Sequence, residues 1–240
     1  MRGPYQRERE ESARVLALSD GVIAIVITLL VLEITVPTLP PGAPATAVPQ
    51  LVFEQWPDFL GFALSFLVVG LYWVLHRRTF LYIETYERGV VWLNLCFLLF
   101  VALVPYATSV FTTYPSGLGV AVLSVALAAT GFSLALVWVY ASRRDLLAAG
   151  LASRSVEIQA ARYLASPIVF VLSALLAVVD PTLALLAWFL LVPINAVLQS
   201  RLVESVEAAA ADPADRDEEA LEASSDEGSP RSPKGPGSGE

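Results

Sequence analysis

The chain has 240 residues, 56% of them hydrophobic and 16% charged, with a mean hydropathy of +0.64. A water-soluble domain of this size needs more polar surface to cover its core, so the composition selects lipid as the solvent and an integral membrane protein as the class. The formal charge of −8 is uneven, with 11 acids and 3 bases over 204–240 and 12 of each in the remainder. One cysteine (Cys96), one histidine (His76) and no basic stripe with interleaved aromatics speak against a disulfide framework, a His-rich metal cage, a triad enzyme and a nucleic-acid partner.

Six stretches are apolar and long enough to cross about 30 Å of hydrocarbon at about 1.5 Å per residue. They cover 15–36, 57–75, 89–111, 118–141, 157–179 and 182–199. The expected fold class is therefore an all-α membrane protein with six transmembrane helices in one domain over 1–203. An acidic tail over 204–240 follows, rich in Ser, Pro and Gly and expected to be disordered from about 212, because it has too few apolar side chains to offset the entropy of ordering.

Span 1 carries the most information. Basic residues, an apolar run and Ala43-Pro44-Ala45 mimic a cleaved secretory signal. The length of Gly21 to Val36, the interruption by Asp20 and the surrounding prolines favour a retained helix. An ionised Asp20 facing lipid would cost several kcal/mol, so it faces protein or water, with Arg14 and His76 as the bases near its depth. Two readings of Asp20 stay open: a structural network stapling helices together, or a proton relay or ion ligand. At about 100° per residue, Ile25, Leu29 and Leu32 form one stripe, Thr28 lies on its shoulder, and Asp20 points roughly 140° away from Ile25. Spacing alone fits a lipid-facing or bundle-facing stripe, and the Thr28 hydroxyl can bond back to the Ala24 carbonyl.

Span 2 opens at Trp56-Pro57 and closes with Tyr72 and Trp73 ahead of His76-Arg77-Arg78, an aromatic and basic pair suited to an interface. Pro105, Pro167 and Pro193 fall inside spans 3, 5 and 6 and mark expected kinks. Val179-Asp180-Pro181 makes spans 5 and 6 a tight hairpin. Arginines fall before span 1 (Arg2, Arg7, Arg9, Arg14), between spans 2 and 3 (Arg77, Arg78, Arg88), between 4 and 5 (Arg143, Arg144, Arg154, Arg162) and after 6 (Arg201). The other connections hold Glu54, Asp58 and Asp180 instead. Positive charge stays inside, which places both termini in the cytoplasm and the chain, multi-pass, in the plasma membrane.

Arg14, three residues, Leu18-Ser19-Asp20 and then Gly21-Val22-Ile23-Ala24-Ile25 and Thr28 to Ile34 resemble the signature of prokaryotic members of the lysosomal potassium channel family, transmembrane protein 175. Leu18 stands where that family usually has Phe. Tyr72-Trp73-x-x-His76-Arg77-Arg78-x-Phe80, Trp92-Leu93-Asn94-Leu95 and Leu103-Val104-Pro105 extend the likeness over the first 110 residues. The resemblance implies a homotetramer in the lipid bilayer whose first helices line a pathway for potassium ions, with no cofactor beyond the permeant ion. It assigns the hydrophobic constriction to Ile25, Leu29 and Leu32, potassium preference to Thr28, and a supporting polar cluster to Arg14, Ser19, Asp20 and His76. Animal relatives fuse two six-helix repeats, so a single repeat needs four copies to close a comparable ring.

The function expected is a potassium-preferring channel gated by hydrophobic collars that lose and regain water. Glu33, Glu54 and Asp58 near the outer mouth could concentrate cations there, or form an ordinary solvated acidic surface. The alternatives are a proton- or cation-coupled secondary transporter, which would want paired halves that are not found, and a membrane scaffold that transports nothing. An enzyme is not expected, since no Ser/His or His/Glu pair lies at matched depth.

Overall fold

The computed structural model describes the backbone over 4–42, 44–148, 153–191 and 193–204, and side chains over 13–42, 44–148, 155–191 and 193–204. The expectation of a disordered tail from about 212 lies outside the described residues. Six helical stretches among them are long and apolar enough to cross a membrane: Ala13–Glu33, Trp56–Tyr82, Arg88–Thr113, Gly117–Arg143, Ser155–Leu176 and Pro181–Glu204. The helix α1 (Pro4–Leu29) runs on as a 3₁₀ turn over Leu30–Glu33. A short α2 (Val48–Glu54) leads into α3 (Trp56–Tyr82), with Pro57 in its first turn, where a missing N–H costs nothing. Then follow α4 (Arg88–Thr113), α5 (Gly117–Arg143), α6 (Ser153–Leu176) and α7 (Pro181–Leu186).

The central element is α5, packed between α4 and α6. In its most apolar window 61% of residues are buried, against 22% in Ala13–Glu33 and 18% in Pro181–Glu204, so the first and last spans form the periphery of the subunit. Lipid is as apolar as leucine and gives no hydrophobic drive to helix association, so small and polar contacts carry much of the specificity. Ser65 and Thr108 join α3 to α4 at 2.8 Å, and the Tyr72 hydroxyl donates to the Leu127 carbonyl at 2.9 Å. Ser173 donates to the Ala184 carbonyl and accepts from Trp188 Nε1 and Ser124 Oγ, tying α5, α6 and the last span together.

Gly131 lies where α5 meets α3 and α6, and a Cβ there would stand 2.6 Å from the Tyr72 hydroxyl and 3.0 Å from Pro167 Cδ. Tyr72 is fully buried and tethered to Leu127, so it cannot swing aside. Gly131→Ala is therefore expected to destabilise the subunit by about 1–3 kcal/mol through overpacking. Thermal unfolding in detergent checks this, and an unchanged midpoint refutes it.

The local breaks follow the sequence. Asp180 caps α7, its Oδ1 accepting from the backbone N–H groups of Thr182 and Leu183, with Pro181 at the first helical position. Pro105 and Pro167 sit inside unbroken α-helices, whereas ahead of Pro193, whose ring opposes the Phe189 carbonyl, the chain tightens into a 3₁₀ turn over Ala187–Leu190. The connections between spans 2 and 3 and between 4 and 5 are zipped together by an antiparallel bridge of Ile83 with Leu147. Glu84 N–H donates to the Leu146 carbonyl at 3.0 Å, and Ala148 N–H to that of Tyr82 at 2.8 Å. Glu87 adds a partly exposed clamp, accepting from the Tyr140 hydroxyl at 3.1 Å and Arg144 at 3.5 Å.

Two expectations are corrected. Span 2 does not end at 75, because α3 continues to Tyr82, so His76 is fully buried within the bundle. Arg162 does not lie between spans 4 and 5 but about two turns inside α6, buried as well. In both cases neighbouring helices cover polar side chains that a hydropathy reading assigns to water.

Candidate pore helix and its polar anchor

Three of the elements, α1, α3 and α4, meet along a narrow seam. On α1 the residues Ser19, Ile23, Val26 and Leu30 recur at spacings of four, three and four, one helical face, and all are buried. Leu30 falls in the 3₁₀ turn that ends the helix and is still fully covered. Roughly 120° round the helix from that face lie Ile25, Leu29 and Leu32, which are 59%, 41% and 70% exposed. Thr28 is exposed on the same side, and its hydroxyl donates to the Ile25 carbonyl at 2.8 Å, not to that of Ala24. With its proton directed back into the helix, the Oγ1 lone pairs are left outward-facing.

The seam is fixed at one end by a directed chain of hydrogen bonds. Asn94 on α4 is the hub: its Nδ2 donates to Ser19 Oγ at 2.9 Å, and its Oδ1 stands 2.8 Å from His76 Nε2. Because that oxygen can only accept, the network assigns the imidazole proton to Nε2. Ser19 in turn donates to the Val15 carbonyl at 2.9 Å. The imidazole is stacked between Phe80 and Phe97, with ring centroids at 4.4 and 5.1 Å, and its buried Nδ1 has no partner among the described residues. One helix from each of three spans is thus held by side chains whose polar atoms have little water to turn to.

Asp20 belongs to a second, more exposed contact. Trp73 Nε1 donates to its Oδ1 at 2.8 Å, and the Arg77 guanidinium stands 6.0 Å from the centroid of the Trp73 ring. The indole thus bridges the carboxylate and a cation one turn further along α3. Arg14 is exposed and, among the described residues, makes no hydrogen bond or ion pair with Ser19, Asp20 or His76. The sequence pairs Asp20 with Arg14 and His76; its hydrogen-bond partner is Trp73, while its charge still acts on His76. That pairing also leaves Asn94 without a role, although an amide inside an apolar span is itself a signal, since the bilayer core tolerates such a group only when it is bonded.

Residues 14–105, which carry the seam and the whole of this hydrogen-bonded arrangement, match the family described as Endosomal/lysosomal potassium channel TMEM175. A potassium channel of Chamaesiphon minutus is 34% identical over 151 residues, covering 61% of this chain and 74% of that protein. The chain belongs to the TMEM175 family. Among TMEM175 relatives, a potassium channel of Streptomyces collinus is 37% identical over 139 residues, 55% of this chain and 66% of that one. The endosomal/lysosomal proton channel TMEM175 of Homo sapiens is 35% identical over 120 residues, and the match spans only 23% of its length. The crystal structure of a potassium-selective TMEM175 homolog from Chamaesiphon minutus superposes with a TM-score of 0.66 at 25% identity, over 80% of this chain and 98% of that chain. These TMEM175 proteins are channels and not enzymes.

Proposed function

We propose that four copies of this chain close around their α1 helices to form a potassium-conducting channel in the plasma membrane. The observation that carries this reading is the division of α1. One face is consumed by the subunit's own core, while Ile25, Leu29 and Leu32 are left bare on another. In a fourfold ring those side chains stack as aliphatic collars. A collar of this kind offers no substitute for an ion's hydration shell, so it blocks when dry and conducts when widened enough to wet. The relatives named as potassium channels support potassium as the permeant ion. Arg77, Arg78, Arg88, Arg143 and Arg144 lie at the ends of α3, α4 and α5 that the Ile83–Leu147 bridge joins, which supports cytoplasmic termini by the positive-inside rule.

The test is current from the purified protein in a planar bilayer under opposed potassium and sodium gradients. The channel reading predicts current that reverses near the potassium equilibrium potential without any second substrate. A coupled carrier would stall without its co-substrate, and a scaffold would pass nothing. Among the described side chains of α1, Thr28 supplies the polar oxygen beside the aliphatic stripe. Thr28→Val keeps its shape and removes that oxygen, so the reversal potential is expected to move toward zero in the same gradients while the thermal midpoint stays put. A reversal potential left where it was would take Thr28 out of the selectivity step.

A further inference from the structure

A cavity of about 540 Å³ opens beside α3, α6 and the end of the last span, lined by Arg78, Leu81, Tyr82, Gln159, Gln199, Leu202 and Val203. Its volume is that of a pocket for a ligand of some size, and its wall is divided. Leu81, Leu202 and Val203 form an apolar side, while Arg78, Gln159 and Gln199 form a polar one. Behind Gln159 and outside the cleft's lining lies Arg162, only 7% exposed, with Nη1 reaching Gln159 Oε1 at a long 3.4 Å and a buried Nε that has no partner among the described residues. Gln159 has its amide nitrogen engaged with the Tyr163 hydroxyl at 3.0 Å, so it offers Arg162 an oxygen but no charge. Among the described residues neither Arg78 nor Arg162 has a carboxylate partner, and their like charges oppose each other. A guanidinium as buried as Arg162, with no carboxylate beside it among the described residues, is costly, and the like charge of Arg78 in the cleft wall adds to that cost. An anion in the cleft, bonded to Arg78 and drawn by Arg162 behind Gln159, offsets both.

We propose that this cleft binds the phosphate of an anionic membrane phospholipid, held by Arg78 and drawn by the charge of Arg162 behind Gln159, with the start of its acyl chains against Leu81, Leu202 and Val203. The guanidinium fork matches a phosphate oxygen pair. Arg78 lies one turn before the end of α3 on the arginine-rich side of the bundle, which is headgroup depth for a lipid of that leaflet. The apolar wall selects a lipid over free phosphate, which would leave it unused. The inference requires only that the spans cross a bilayer, and it stands or falls apart from the channel reading.

The full chain, purified in detergent and mixed with equal amounts of phosphatidylglycerol and phosphatidylcholine, is examined by native mass spectrometry and by thermal unfolding. Retention of phosphatidylglycerol over phosphatidylcholine and a raised unfolding midpoint with the former are expected. Arg78 is exposed, so Arg78→Gln leaves the buried contacts intact, and it is expected to weaken phosphatidylglycerol binding about tenfold, the worth of one charge-assisted bond. Arg162→Gln is expected to remove the preference if it folds, but Arg78→Gln is the deciding variant. Equal retention of the two lipids, or undiminished preference in folded Arg78→Gln, would overturn the proposal. So would equal protection by inorganic phosphate, which would mark the cleft as a site for free anions.

Discussion

Ile25→Asn is expected to raise potassium current about tenfold, the effect of lowering the barrier to ion passage by about 1.4 kcal/mol. The residue is 59% exposed in the subunit and makes no part of its core, so the substitution leaves folding untouched. What changes, in the proposed tetramer, is the collar. There, four amides in place of four sec-butyl groups hold water by hydrogen bonds, and a constriction that retains water no longer imposes the penalty of stripping an ion bare. Leu29→Asn is expected to act in the same direction, one turn further along the same stripe. Single-channel recording checks both. Currents indistinguishable from those of the parent chain would remove these side chains from the conduction path and leave the exposed stripe to lipid or to a neighbouring subunit.

Asn94→Leu tests the opposite side of the same helix and is expected to be the more damaging change to the protein itself. The substitution deletes the acceptor of His76 Nε2 and the donor to Ser19 Oγ, both fully buried, and creates no alternative partner for either. Leaving a buried polar group unsatisfied costs about 1–3 kcal/mol. Interhelical hydrogen bonds in membranes average only about 0.6 kcal/mol, because the separated helices find other partners. With His76 Nε2 orphaned and Ser19 Oγ left only its bond to the Val15 carbonyl, a loss of about 2 kcal/mol is the expected outcome. Ser19→Ala severs only one of these links and is expected to cost less. Thermal unfolding in detergent of both variants ranks them, and a Ser19→Ala that equals or exceeds Asn94→Leu would show that the amide is not the hub.

The spans themselves were legible because hydropathy acts over some twenty residues at a time, long enough to average out single polar positions. The same averaging hid the ends. His76, Thr79 and Phe80 continue α3 as a buried stripe, yet His76-Arg77-Arg78 reads as a boundary because two of its three members are exposed arginines. Arg162 misled for the complementary reason: an arginine counts as a loop residue until a neighbouring helix is seen to cover it. The two-sidedness of α1 was available from its period, and Ser19, Asp20 and His76 could be singled out as polar groups in an apolar setting. Their partners could not. Asn94 is 75 residues from Ser19, Trp73 is 53 from Asp20, and nothing local says which helix faces meet. Thr28 shows the limit at shorter range: both Ala24 and Ile25 offer carbonyls to its hydroxyl, and only the rotamer adopted selects Ile25.

The placement of the Ser19–Asn94–His76 chain near one end of the buried seam of α1 has a mechanical consequence. Hydrogen bonds resist displacement in every direction, whereas the contacts of Ile23, Val26 and Leu30 further along are apolar and tolerate small slides. The helix is therefore pinned at its Ser19 end and slides more freely toward Leu30, as far as Thr35, whose carbonyl accepts from Gln55 Nε2 just beyond the 3₁₀ turn. In the proposed ring, a tilt about the Ser19 pivot moves Leu32 further than Ile25, within the slack of that Gln55 tether.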